Sequence, residues 1–325
     1  MRGGRIPEPV TAVIELADAW LPQRMTAVEA RLAELAGSHG PELESSARLT
    51  LEAGGKRMRP LLVLLSAGPE GAERAVRAAT AIELVHMATL VHDDVLDAAP
   101  LRRGRPTVFA TDGAERATAT GDLLLSRAFS ELAHPGSTDQ VRALARASSR
   151  LARGELAQRQ DAYVLGTSRE RYLERCRLKT AALFECACVI GRPAGDPARE
   201  PLARFGREIG LAFQLLDDVL DVVGPSERTG KALGTDLLDG TVTLPLIRAI
   251  ELEPELARVE PATLDPAGAV EVCRRIAATG ATDEVRAEAS ERVAEAKRGL
   301  AEATLAPEEL RPFELVADGV VERYS

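Results

Sequence analysis

Aromatic residues are scarce in this chain: 325 residues include one Trp, three Tyr and six Phe, 3% in all. The Val/Ile/Tyr/Thr alternation that strands need is missing with them, while Ala, Leu, Arg and Glu dominate, so helices are favoured over sheets. Cysteine is also sparse. Cys176, Cys186, Cys188 and Cys273 form no CxxC pair, so reduced, buried thiols are expected instead of a disulfide framework or a zinc site, which fits a cytoplasmic protein. Long hydrophobic runs are absent. The stretch Leu61 to Leu65 is far too short to span a bilayer, and the N-terminal MRGGRIPEPV has no signal-peptide core, so no integral membrane segment is expected. Excess positive charge is lacking too. A formal net charge of −9 argues against a nucleic-acid partner, because phosphate backbones demand clustered surplus Lys and Arg.

What remains is a helical pattern punctuated by Pro and Gly. It predicts helices over 8–36, 42–53, 58–67, 72–98, 115–132, 139–163, 169–190, 198–223, 242–252, 267–279, 282–304 and 307–321, with no competing strand pattern. No break between them is long enough for an interdomain linker and no repeat of 20–50 residues recurs. The expectation is all-α: residues 1–325 form a single domain, a bundle of about twelve helices around a central cavity. Segments 61–65, 84–91, 181–190 and 211–223 are apolar nearly all round and belong inside it.

Two of these interior helices carry the same acidic word, DDVLD, at Asp93, Asp94 and Asp97 and again at Asp217, Asp218 and Asp221. On a helix the first and last Asp of each word project from one face. Three like charges within two turns repel one another unless a cation neutralises them, and all-oxygen ligands select a hard ion. Mg²⁺ in particular takes one or two carboxylates, several waters and the phosphate oxygens of a substrate. A solvated acidic helix face is the competing reading, and duplication inside apolar sequence weighs against it.

Cations accompany the acids. Gly54-Gly55-Lys56-Arg57-Met58-Arg59-Pro60 breaks one helix and starts another, offering backbone N–H groups with Lys56 and Arg59 beside them; it is an anion site or simply a basic loop. Arg102, Arg103 and Arg105 directly follow the first acidic word, where they can pair with the aspartates or grip a diphosphate in bidentate fashion. Lys179-Thr180 on an apolar helix and Lys231 in Thr229-Gly230-Lys231 add to the set, although a lone Lys on such a helix more often snorkels to solvent. Glu83-x-x-His86 spells a di-iron motif, but no second copy exists.

GGKRMRP (54–60), HMATLVHDDVLD (86–97), LRRGRPT (101–107), TGDLLLSRAF (120–129), KTAALF (179–184), FQLLDDVLD (213–221), GKALGTDLLDG (230–240) and TLPLI (243–247), in this order, resemble the trans-isoprenyl diphosphate synthases, or polyprenyl synthetases. The likeness runs from about residue 45 to 250. It implies the class I isoprenoid synthase fold and about three Mg²⁺ ions per active site, held against an allylic diphosphate by Asp93, Asp97, Asp217 and Asp221, with Asp94 and Asp218 supporting. By the same resemblance, Lys56, Arg59, His86 and Arg103 match contacts to isopentenyl diphosphate. Arg102, Lys179, Thr180, Gln214 and Lys231 match contacts to the allylic diphosphate. The family usually reads Gly-Lys before Thr-Leu-Pro, whereas here Thr241 follows Gly240, so one diphosphate-facing cation is missing.

The reaction implied is head-to-tail condensation of isopentenyl diphosphate with an allylic diphosphate, in which the released diphosphate takes the proton, carried out by a homodimer. Family members set product length with a bulky floor residue four or five positions before the first DDxxD. Those positions are Thr89 and Ala88 here, and a small Ala88 predicts a long, all-trans product. A short-chain geranylgeranyl or farnesyl diphosphate synthase is the alternative; a terpene cyclase, which carries a different second metal motif, and a non-catalytic partner subunit, which loses the acidic motifs, are further from the pattern.

Overall fold

The computed structural model describes residues 19–37, 40–134, 137–224 and 233–322, with Val13 and Ala17. Its helices are α1 (Leu21–Ala36), α2 (Pro41–Glu52), α3 (Met58–Ala67), α4 (Ala72–Leu96), α5 (Val108–Leu132), α6 (Thr138–Gln160), α7 (Arg169–Cys176), α8 (Ala182–Ile190), α9 (Arg199–Val223), α10 (Thr235–Leu238), α11 (Leu244–Leu252), α12 (Pro266–Ala278), α13 (Ala281–Leu300) and α14 (Pro307–Glu322). The fold is all-α, as the composition implies. The only sheet among the described residues is a hairpin of two-residue strands, β1 (Leu101–Arg102) and β2 (Arg105–Pro106), a departure from the strand-free expectation.

Boundaries differ from the sequence pattern where caps decide them. The helix expected from 115 begins at Val108, because Thr107 caps it: its Oγ1 accepts from Ala110 N at 3.0 Å and donates to Ala99 O at 2.6 Å. A non-helical Gly113, at φ 83°, kinks this helix, which hid its first turn from the periodicity. Of the helix expected over 8–36, Leu21–Ala36 is helical with Pro22 in its first turn, and Val13 is helical as well; positions 8–12, 14–16 and 18 lie outside the described residues. The short α10 and the 3₁₀ turns Pro254–Arg258 and Pro261–Thr263 carry too few apolar positions for a period to register.

The predicted helix 169–190 is a continuous rod made of α7, a π-helical segment at Arg177–Ala181, and α8. Tyr172, Phe184, Ala187 and Cys188 are buried on it, and helices α3, α4, α6 and α9 all pack against it. Two glycines permit the closest approaches. A Cβ at Gly154 of α6 would lie 2.6 Å from Lys179 N, and one at Gly210 of α9 would lie 2.6 Å from Ala181 Cα. Both contacts fall on the π segment, the kind of local widening that recurs at functional sites. It is the meeting point of the bundle, with α4 and α9 bringing one acidic word each.

Gly154→Ala should therefore force α6 off the rod at Lys179, at a cost of about 1–3 kcal/mol. A denaturant midpoint equal to that of the parent chain would contradict this packing.

Candidate active site

The two acidic words occupy equivalent places on their helices. In α4, Asp93 and Asp97 share a partly exposed face, whereas Asp94 is buried and accepts from Arg102 Nε at 2.7 Å. In α9, Asp217 is exposed, Asp221 half-buried and Asp218 buried. In each word, then, the i and i+4 carboxylates present themselves outward while the middle one turns into the protein.

Different groups stabilise the inward aspartates. Asp218 accepts from Tyr172 Oη at 2.5 Å and from Gln214 Nε2 at 2.7 Å, and Gln214 Oε1 accepts from Thr180 at 2.6 Å. Burial, reinforced by the nearby charge of Asp236, pushes the Asp218 carboxyl up to about 8 against these hydrogen bonds. Burial and the Asp218 charge likewise raise the Tyr172 phenol well above its usual range. Asp221 is pinned by backbone: its Oδ2 accepts from Asp236 N at 3.1 Å and its carbonyl from Gly234 N at 2.9 Å. The segment carrying Gly234 and Asp236 is fastened in turn, by Tyr163 N to Gly240 O at 2.7 Å and Arg175 Nη2 to Val242 O at 2.6 Å.

Lys179 and Thr180 serve different acidic words from the π segment. Lys179 Nζ is 3.7 Å from Asp93 Oδ2 and also pairs with Glu155, while Thr180 reaches the Gln214–Asp218 chain. Burial opposes the Lys179 charge, but Asp93 and Glu155 outweigh it and its pKa rises. For Asp93 burial wins over the Lys179 contact, and the carboxyl is pushed up to about 6. Lys179 does not snorkel to solvent; it is an internal cation between two acids. The salt-bridge reading of the arginine run holds for Arg102 with Asp94 and, at 3.9 Å, for Arg105 with Glu52.

A second group of cations lies beside the α2–α3 loop. Arg57 and Arg103 adopt left-handed backbone conformations, at φ 48° and 53°, and both guanidinium groups come over Gly55, within 3.2 Å of where a Cβ would be. A Cβ at 55 would push them back by a few tenths of an ångström. Arg57 is neutralised by Glu29 at 2.6 Å and buried Glu83 at 2.8 Å. The Arg59 guanidinium stacks over Phe184 at 4.5 Å, its Nε without a hydrogen-bond partner, and burial lowers its pKa to about 10. Burial, with Arg59 and Arg103 nearby, holds the His86 imidazole well below its usual value; at pH 7 it is neutral. Of these, Arg57, Glu83, His86 and Arg103 line an open cleft together with Asp94 and Arg102. Lys56 is exposed on the loop. Lys231 lies outside the described residues.

The structure thus brings Asp93, Asp97, Arg102 and Lys179 to one region, His86 and Arg103 to the adjoining cleft with Arg59 on Phe184 near them, and Thr180, Gln214 and Asp218 into one hydrogen-bonded chain beside Asp217 and Asp221. Sequence reasoning missed Tyr172, Glu155, Arg159, Asp236 and Arg57. Tyr172 reads as core, and Glu155 and Arg159, four apart on a polar helix, read as a surface pair. Among the described residues no three His, Cys, Asp or Glu side chains already converge to cage an ion. Paired outward carboxylates without a cage fit Mg²⁺, which draws its other ligands from water and phosphate.

Residues 40–277 match the family model described as polyprenyl synthetase. Heptaprenyl diphosphate synthase component 2 of Geobacillus stearothermophilus is 41% identical over 254 residues, covering 75% of this chain and 79% of that protein. Nonaprenyl diphosphate synthase of Mycobacterium tuberculosis is 38% identical over 266 residues, 78% of this chain and 79% of that one. The crystal structure of a polyprenyl synthase from Caulobacter crescentus, complexed with calcium and isoprenyl diphosphate, superposes with a TM-score of 0.90 at 32% identity, covering 99% of this chain and all of that one. The family match and these relatives define a helical transferase that makes prenyl diphosphates. The chain belongs to the polyprenyl synthetase family.

The raised Asp218 carboxyl has a stability consequence. The unfolded group titrates near about 3.9, so between about pH 4 and pH 8 the folded chain binds more protons and this group's contribution falls as pH rises. In EDTA, the Tm of the wild type should drop from pH 5 to pH 8 relative to Asp218→Asn; parallel curves would contradict the buried, raised carboxyl.

Proposed function

We propose that the chain joins isopentenyl diphosphate head to tail to an allylic diphosphate, yielding a long all-trans polyprenyl diphosphate, and that the outward pairs Asp93/Asp97 and Asp217/Asp221 hold Mg²⁺. The carrying observation is the π segment of the rod, from which Lys179 lies near Asp93 of one acidic word and Thr180, through Gln214, connects to Asp218 of the other. Relatives named as heptaprenyl and nonaprenyl synthases, and a structure with bound calcium and isoprenyl diphosphate, support the reading.

Making an allylic cation from a poor leaving group is the hard step. Bound Mg²⁺, about three ions per site, supplies charge to the departing diphosphate oxygen. The chain's own contribution is positional. Asp94 holds Arg102, Asp218 with Gln214 holds Thr180, and Glu155 pairs with Lys179, so that Arg102 and Lys179 stand ready for the developing negative charge; Lys231 is assigned to the same role from its sequence motif alone. Lys56, Arg59, neutral His86 and Arg103 bind isopentenyl diphosphate in the adjoining cleft, where proximity replaces a bimolecular encounter. No protein base is required, because the released diphosphate accepts the proton. The apolar surroundings exclude water that would quench the cation. Ala88 is buried and Thr89 is half-buried, its hydroxyl on His86 O at 2.8 Å. Five helical residues span about 7.5 Å, so at that depth below the first acidic word neither position presents a bulky side chain as a floor.

The full sequence constitutes one domain and works as a homodimer in the cytoplasm; no described helix is long and apolar enough to cross a membrane. The name component 2 on the Geobacillus relative favours a second reading, in which a partner of different sequence completes the enzyme. Turnover by the purified chain alone separates the two.

With isopentenyl and farnesyl diphosphates and Mg²⁺, the purified chain should give an extended prenyl ladder on reverse-phase chromatography. Diphosphate release without extension would indicate cyclisation, and no turnover would indicate a missing subunit. Asp93→Ala or Asp217→Ala should cost on the order of a hundredfold in rate, and retained activity would remove the carboxylates from the chemistry. Ala88→Phe or Thr89→Phe should shorten the ladder; the same product distribution from both would put the floor on another helix.

A further inference from the structure

Beyond the residues assigned above, the C-terminal end of α6 contributes two that face the first acidic word. Arg159 Nη2 lies 2.5 Å from Asp97 Oδ1, and its Nε donates to Glu155 Oε1 at 3.0 Å. Glu155 also pairs with Lys179, whose Nζ is 3.7 Å from Asp93 Oδ2. Charge therefore alternates along a line: Asp93, Lys179, Glu155, Arg159, Asp97. Glu155 sits at its centre, on a different helix from either aspartate, so it anchors both cations independently of the acids they touch.

Stability alone does not account for this arrangement. The Arg159 side chain is 38% exposed and that of Asp97 26%, and an ion pair so open to water contributes about 0–1 kcal/mol at most. What the contact does achieve is to hold a guanidinium within hydrogen-bond reach of a carboxylate on the outward face, still free to turn on a solvated side chain. A guanidinium there suits the planar, bidentate recognition of phosphate oxygens. Its neighbour Gln158 donates to Thr241 Oγ1 at 3.4 Å, so this end of α6 comes against position 241, where a neutral hydroxyl is found.

We propose that Arg159 is a diphosphate-binding residue of this site, supplying the cation that Thr241 does not, and that Glu155 is a positioning residue which keeps Arg159 and Lys179 directed at the first acidic word. The proposal rests on the prenyl-transfer reading given above. When the ligand enters, Arg159 exchanges the Asp97 oxygen for a diphosphate oxygen and retains Glu155, which frees Asp97 for the ion.

Titration calorimetry with inorganic diphosphate in the presence of Mg²⁺ tests it on the full chain, folding of each variant being checked by circular dichroism. Arg159→Gln should weaken diphosphate binding about tenfold, Arg159→Lys should restore part of the loss, and Glu155→Gln should weaken it as well. Isopentenyl diphosphate titrated without Mg²⁺ should bind the parent and Arg159→Gln alike. In turnover, Arg159→Gln should raise KM for the allylic diphosphate about tenfold with kcat changed less than about threefold. Unaltered diphosphate affinity in Arg159→Gln overturns the proposal and, if the parent chain still extends prenyl chains, leaves the prenyl-transfer reading standing. A parent chain that binds no diphosphate with Mg²⁺ overturns both.

Discussion

Like charges at close quarters govern this structure. Six aspartates sit in two short words on helices that are otherwise apolar, and each word must be held together before any ligand arrives. The solution differs on the two sides. On α4, cations do the work: Arg102 on Asp94, Lys179 near Asp93 and Arg159 on Asp97. On α9 neutral donors and backbone take over, with Tyr172 and Gln214 on Asp218 and the Asp236 amide on Asp221. The inward aspartates are buried with their partners, whereas the outward ones meet theirs where solvent still reaches the carboxylates. Hard-ion coordination needs that division, because a metal that takes only one or two carboxylates still requires them at a fixed spacing.

The rod from Arg169 to Ile190 makes the two sides one site. A regular helix places successive residues about 100° apart; the π segment at 177–181 loosens that geometry where Lys179 serves one acid and Thr180 the other. The glycine contacts of α6 and α9 fall on the same segment, so backbone packing and side-chain aim are set together. Tyr172, one turn and a half earlier, extends the same logic: its bulk fills the core while its hydroxyl holds Asp218. The cleft beside α2 is organised in the opposite sense. There cations outnumber acids, His86 is kept neutral, and two arginines are held in left-handed backbone to reach over Gly55.

Much of this was legible in the sequence. Long, strongly periodic helices such as α4 and α9 were readable because burial on several sides leaves unbroken apolar runs, and the i, i+4 spacing of the aspartates fixed which pair shares a face. The start of α5 was not readable, because a Thr107 cap and a kink at Gly113 both erase periodicity. Nor was the π segment, since nothing in Arg177-Leu178-Lys179-Thr180-Ala181 distinguishes five-residue from four-residue hydrogen bonding; α6 and α9 pack directly on it. Glu155, Arg159 and Tyr172 escaped for a similar reason. Their roles depend on which distant carboxylate they meet, and a helix position alone specifies only core or surface.

The most direct measurement is a crystal grown with Mn²⁺ and inorganic diphosphate, with data collected at the manganese absorption edge. The account predicts anomalous peaks bonded to Asp93 and Asp97 on one side and to Asp217 or Asp221 on the other, sharing the diphosphate between them. Peaks confined to one acidic word, or a diphosphate bound away from any metal, would contradict it.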